Sequence, residues 1–157
     1  MADTPSHLAE RLQAEGSKSL EIFRALRPEQ WEITVYTDGS AWTIRQLLAH
    51  FVTAEDGFLD LIDDIVTGGA GSPEDFDIDR FNEREVSAVG DELPERLLLQ
   101  YERVRQATIK KVSKLHTEDL ERVGRHPYLG VASLADIIKL IYRHNQIHQR
   151  DFRKLIT

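Results

Sequence analysis

A chain of 157 residues is long enough to bury a hydrophobic core as one domain, residues 1–157, without disulfides or a structural metal. It has no cysteine, which excludes disulfides, thiolate metal sites and any mechanism built on a thiol of the protein itself. Its formal charge of −7, with no extended basic run, argues against a nucleic-acid surface, because phosphate binding needs a basic patch. The N-terminal MADTPSHLAERLQ carries neither a basic nor an apolar leader segment, and no stretch approaches about 18 uninterrupted apolar residues. A soluble, cytoplasmic protein with no membrane partner is expected.

The first helix should run from Pro5 to Leu26, with Leu8, Leu12, Ser19, Ile22 and Phe23 recurring at helical spacing. Thr4 is available as its cap and Pro5 suits the first helical position. Gly16 interrupts it, so close packing or a bend is expected there. Residues 27–41 read as a connection, with Trp31 and Trp42 plugging one end of the core.

Thr43 can cap a second helix to about Val66, with Ile44, Leu47, Leu48, Phe51, Phe58, Ile62 and Ile65 on its buried face. His50 falls at the flank of that stripe, beside Ala54, Gly57 and Leu61. By itself it reads as a boundary residue with a half-solvated ring; as a ligand it could lean toward a neighbouring helix and leave one side of an ion open. Glu55 falls near the middle of the apolar face, where a carboxylate needs a partner. A structural salt bridge is the first expectation for it, and a catalytic base or fourth metal ligand the second.

Residues 67–80, rich in Gly, Ser, Pro and Asp, form a long connection of the kind that is often functional or mobile. Asp79 is read as the cap of a short helix through Val89. A further long helix is expected from Asp91 to Leu115, with Leu97, Tyr101, Val104, Thr108 and Leu115 inward. Residues 116–131 read as loop with a turn at H-P-Y-L-G, and His126 in it as a solvated loop histidine that could touch a substrate.

Ser133 caps a last helix through Phe152, in which Leu134, Ile137, Ile141, Phe152 and, beyond it, Leu155 share one stripe with His144 and His148. Two imidazoles one turn apart in an apolar seam are costly unless their nitrogens find partners, and a metal ion satisfies both at once. Four long amphipathic helices with no strand pattern and no repeat give an all-α fold, a four-helix bundle with long crossover connections. Between its facing helices His50, His144 and His148 make the good ligand set; His7 and His116 look exposed. HExxH, paired Glu-x-x-His motifs, a Gly-rich phosphate loop and a GxSxG elbow are absent. Three neutral imidazoles suit an open site for a divalent transition metal, with Zn²⁺, Ni²⁺, Co²⁺ and Fe²⁺ equally acceptable.

W-T-I-R-Q-L-L-A-H at 42–50, F-D-I-D-R-F-N at 76–82, H-P-Y-L-G at 126–130 and H-N-Q-I-H at 144–148 together resemble the DinB-like (DinB/YfiT) superfamily of metal-binding four-helix bundles. The resemblance covers almost the whole chain and implies the same ligands, His50, His144 and His148. Acidic residues frequent in the last motif are replaced here by Asn145 and Ile147. Relatives include thiol-dependent S-transferases and a mycothiol-dependent maleylpyruvate isomerase. The resemblance therefore implies a metal-dependent thiol S-transferase, its low-molecular-weight thiol arriving as a cosubstrate. A metal-dependent hydrolase using Glu55 or Asp79 as base comes second, and a non-enzymatic metal or small-molecule binding protein third. A homodimer is implied on the same ground. The two long connections should cover the open side of the metal, with Asn82 and Asn145 as polar groups near the substrate.

Overall fold

The computed structural model describes residues 2–156. Among these described residues there are five α-helices: α1 (Pro5–Arg24), α2 (Ile44–Val66), α3 (Ile78–Val89), α4 (Pro94–Ser113) and α5 (Leu134–Arg153). Their starts are set by local chemistry. Thr4 accepts the His7 N–H at 3.1 Å with Pro5 behind it, and Ser133 accepts the Asp136 N–H at 3.2 Å. Thr43 and Gln46 form a reciprocal capping box at the head of α2. Thr43→Ala should lower stability by about 1 kcal/mol, read as a shift of the urea midpoint with an unchanged slope.

Helices α1, α2, α4 and α5 make the bundle. α1 and α2 each pack against both α4 and α5, so they lie diagonally opposite, and α4 and α5 occupy the other diagonal. The connections 25–43 and 114–133 therefore cross the ends of the bundle, and the fold is an all-α four-helix bundle with long crossovers. α3 leans on α2 from outside.

The apolar core forms two clusters. One gathers Leu8, Leu12, Phe58, Ile62, Val112 and Ile138; the other gathers Phe23, Trp31, Leu48, Phe51, Tyr101 and Phe152. Between them, by position along each helix, lies a polar layer. Glu55 on α2 receives Arg105 of α4 through two bonds, of 2.8 and 2.9 Å, and Thr108 Oγ1 at 2.7 Å. The pair is buried, and Arg105 also donates to the Leu12 carbonyl at 3.0 Å. Gly16 faces the stem of this arginine, where an added Cβ would stand 2.9 Å from Arg105 Cγ. The interruption in α1 thus serves close packing.

Several boundaries differ from the sequence reading. α3 is capped by Asp77, which accepts the Arg80 N–H at 3.0 Å, rather than by Asp79, which lies in the first turn. α4 begins at Pro94, three residues after Asp91, because proline has no N–H to bond inside a helix. Leu155 lies past the end of α5 and is exposed. The connection expected to be loop holds a two-stranded antiparallel hairpin, β1 (Val123–His126) and β2 (Gly130–Ser133), with His126 opposite Gly130. Ser72 and Ala70 bond the backbone of Arg125 at 2.8 Å each, which ties the 67–77 segment to β1. Gly71 permits this approach, since its φ is +89° and a Cβ would fall 2.4 Å from the Arg125 nitrogen.

Candidate metal centre

His50 projects from α2, and His144 and His148 project one turn apart from α5. The structure brings the three together. His144 Nε2 lies 3.0 Å from His50 Nε2 and 3.0 Å from His148 Nε2, and one nitrogen from each ring falls within 4.8 Å of the others. The rings stand nearly perpendicular to one another, at 80° to 89°. Phe51 and Trp42 close the apolar side, the Trp42 ring 4.8 Å from that of His50. His50 is 3 % exposed, so it is not the half-solvated boundary residue suggested by its place on α2. Helix α5 and Trp42 cover the flank that the periodicity of α2 leaves open.

The hydrogen bonds fix one tautomer. Tyr36 Oη donates to Asp151 Oδ2 at 2.7 Å, and burial together with that carboxylate pushes the phenol pKa up, so the proton stays on Tyr36. The 2.6 Å contact between Tyr36 Oη and His148 Nδ1 must then be donated by the ring. His148 consequently turns an unprotonated Nε2 toward His144. Burial holds all three imidazoles neutral: His50 falls well below the ordinary imidazole range, His144 falls to about 3, and His148 is lowered against the opposing pull of Asp151. His50 Nδ1 is buried without a partner. One proton on His144 Nε2 can serve only one of its two 3.0 Å neighbours, whereas a cation could receive a lone pair from all three rings. The donor set fits a divalent transition metal.

His50 and His144 also line a cavity of about 370 Å³. α2 lines it with Ala54, Gly57, Phe58 and Leu61, the flank of the helix on which His50 lies, and α5 adds Leu140 and Ile147. Both long connections contribute, through Ser72 and Phe76 on one side and His126, Pro127 and Tyr128 on the other, and α3 adds Asn82. No lysine or arginine is among the described lining residues, and Asp79, exposed at the rim, is the one carboxylate there.

Of the other sequence candidates, Asn82 lies in the cavity wall. Asn145 does not: it is buried on the far side of α5 and donates to Tyr101 Oη at 3.1 Å, because the residue after His144 points about 100° away on a helix. Glu55 is committed to Arg105 and Thr108 and lines no part of the cavity. His126 is buried rather than solvated, stacked on Phe58 at 5.3 Å and 16°. Tyr36, Asp151 and Trp42 were not singled out in the sequence for this site. Asp151, three residues after His148, shares its helical face and could have been found by that spacing; Tyr36 comes from a connection whose path no local pattern encodes.

A family model described as the DinB superfamily matches residues 11–151. YfiT from Bacillus subtilis, described as a probable metal-dependent hydrolase with an unusual four-helix bundle topology, has a similar structure. The TM-score is 0.76 at 16% identity, covering 96% of this chain and 85% of that one. The colibactin self-resistance protein ClbS, solved in complex with double-stranded DNA, superposes with a TM-score of 0.77 at 13% identity, covering 99% and 96%. At these identities the likeness speaks to the fold. No curated protein matches the chain.

Proposed function

The chain belongs to the DinB superfamily, and from that premise we propose that it is a metal-dependent hydrolase of small apolar molecules, with His50, His144 and His148 as the metal ligands. The observation that carries this reading is that two of the three clustered histidines, His50 and His144, also line an apolar cavity. A divalent ion held there would supply Lewis acidity toward a water molecule and a carbonyl oxygen. Everything else is the work of the chain. The rings are neutral and need shed no proton to ligate. Tyr36, itself held by Asp151, fixes the His148 ring and directs its Nε2 inward. Asp151 thereby supplies, through a phenol, the acidic support missing at Asn145 and Ile147. Asp79, the one carboxylate among the described lining residues, is the candidate base for an attacking water.

Hydrolysis is preferred to thiol transfer because small cellular thiols are carried on charged or strongly polar bodies, and this cavity has no lysine or arginine among its described lining residues to receive one. The description of YfiT supports the same choice. The reading does not extend to DNA, since the ClbS likeness is one of fold and the net charge here is −7.

The test is elemental analysis, followed by assay of the metal-loaded protein on uncharged aryl esters and amides. Hydrolysis that chelator abolishes and added metal restores is expected. Thermal stabilisation of the metal-loaded protein by thiols, with no hydrolysis, would replace this reading by thiol transfer. Tyr36→Phe should weaken metal affinity about tenfold while leaving one ion per chain at saturation, measured by competition with a chromophoric chelator. Unchanged affinity would remove Tyr36 from the site.

A further inference from the structure

His126 occupies the cavity wall contributed by the β-hairpin and lies outside the histidine cluster. Its Nδ1 receives two backbone N–H groups of its own turn, Tyr128 at 3.0 Å and Leu129 at 3.3 Å. Both partners can only donate, so Nδ1 must be a lone pair and the ring proton must sit on Nε2. Burial lowers the pKa of His126 to about 4, in keeping with a neutral ring. Stacking on Phe58 fixes the ring plane. Nε2 has no hydrogen-bond partner among the described residues, yet it is not sealed in protein; the buried side-chain atoms without partners are His50 Nδ1 and Gln149 Oε1. The turn has therefore built a donor with one tautomer and one orientation, on a ring that lines the cavity, and its N–H is unpaired among the described residues.

The chemistry of that molecule follows from the walls. A donor that cannot accept calls for an acceptor atom. With no lysine or arginine among the described lining residues, the walls away from the histidine cluster offer a carboxylate or phosphate no countercharge, and Asp79 at the rim repels one. Phe58, Leu61, Phe76, Phe81, Leu140 and Ile147 call for an apolar body. We propose that the cavity takes a neutral, largely apolar molecule bearing a carbonyl oxygen, and that His126 binds that oxygen by donating from Nε2. This rests on the hydrolase reading of the site and narrows its substrates to uncharged carbonyl compounds.

Chelator-treated, metal-free protein separates the two ideas, because the binding it reports does not depend on a metal. The probes are 2-acetylnaphthalene and its near-isostere 2-isopropylnaphthalene, which differ chiefly in the carbonyl. The ketone should bind about three- to tenfold more tightly, as expected for one neutral hydrogen bond. His126→Asn keeps an acceptor near Nδ1 for the turn but lacks the Nε2 donor, and should erase the preference while the hairpin stays folded. His126→Gln, which keeps a donor near the Nε2 position, should retain part of it. Equal affinity of the wild-type protein for both probes, binding of neither, or an undiminished ketone preference in His126→Asn would overturn the proposal. Failure of the hydrolase reading would show separately, as absent metal or absent ester hydrolysis with the ketone preference intact.

Discussion

Replacing His144 with alanine is expected to leave a folded protein that does not hold stoichiometric metal. His144 is the hub of the cluster, its Nε2 being 3.0 Å from the corresponding atoms of both other histidines. Without it, His50 and His148 lose the ring that stands between them. Loss of a supporting residue around a metal typically costs about 10–100-fold in affinity, and loss of a ligand should exceed the upper end of that range. Stability should change little in the metal-free state, because the substitution also removes an imidazole held neutral by burial next to two others. Elemental analysis after dialysis, with a urea titration of the same sample, checks both halves. One equivalent of metal retained by the folded variant would sink the ligand assignment.

Arg105→Leu, by contrast, should cost about 3–5 kcal/mol and leave the site alone. The Arg105 and Glu55 side chains are 3 % and 2 % exposed, and the arginine makes two of the three hydrogen bonds that Glu55 receives. Removing the cation strands a carboxylate in the core with only the Thr108 hydroxyl, which is far more costly than never having buried the pair. The loss is a large fraction of the roughly 5–15 kcal/mol that holds a domain together. Adding Glu55→Met should recover most of it, because an apolar pair of similar volume removes the stranded charge. The double variant should still carry one metal ion per chain, whereas loss of the ion would return Glu55 to the list of ligands. Chemical denaturation and metal content, measured on the wild type, the single variant and the double variant, give the answer.

The sequence by itself determined the helices and the facing histidines. Helical periodicity repeats every turn, and caps such as Thr4, Thr43 and Ser133 act over three residues, so both are written locally. His144 and His148 share a face because four residues make about one turn, and that needs no knowledge of the fold. Glu55 in an apolar stripe announced a partner without naming it, since Arg105 lies on another helix. What tertiary structure decided concerns groups far apart in sequence. The diagonal placement of α1 and α2 follows from how the long connections cross the bundle, which composition does not encode. The hairpin escaped notice because V-G-R-H and G-V-A-S are short, contain glycine and show no alternation of apolar residues; pairing with each other and with residues 70–72 makes them strands. That pairing buries His126 and assigns its tautomer. The Tyr36, Asp151 and His148 chain likewise joins a connection to a helix across more than a hundred residues. A hydrogen bond fixes a tautomer through the position of one atom, and only the packed molecule puts that atom in place.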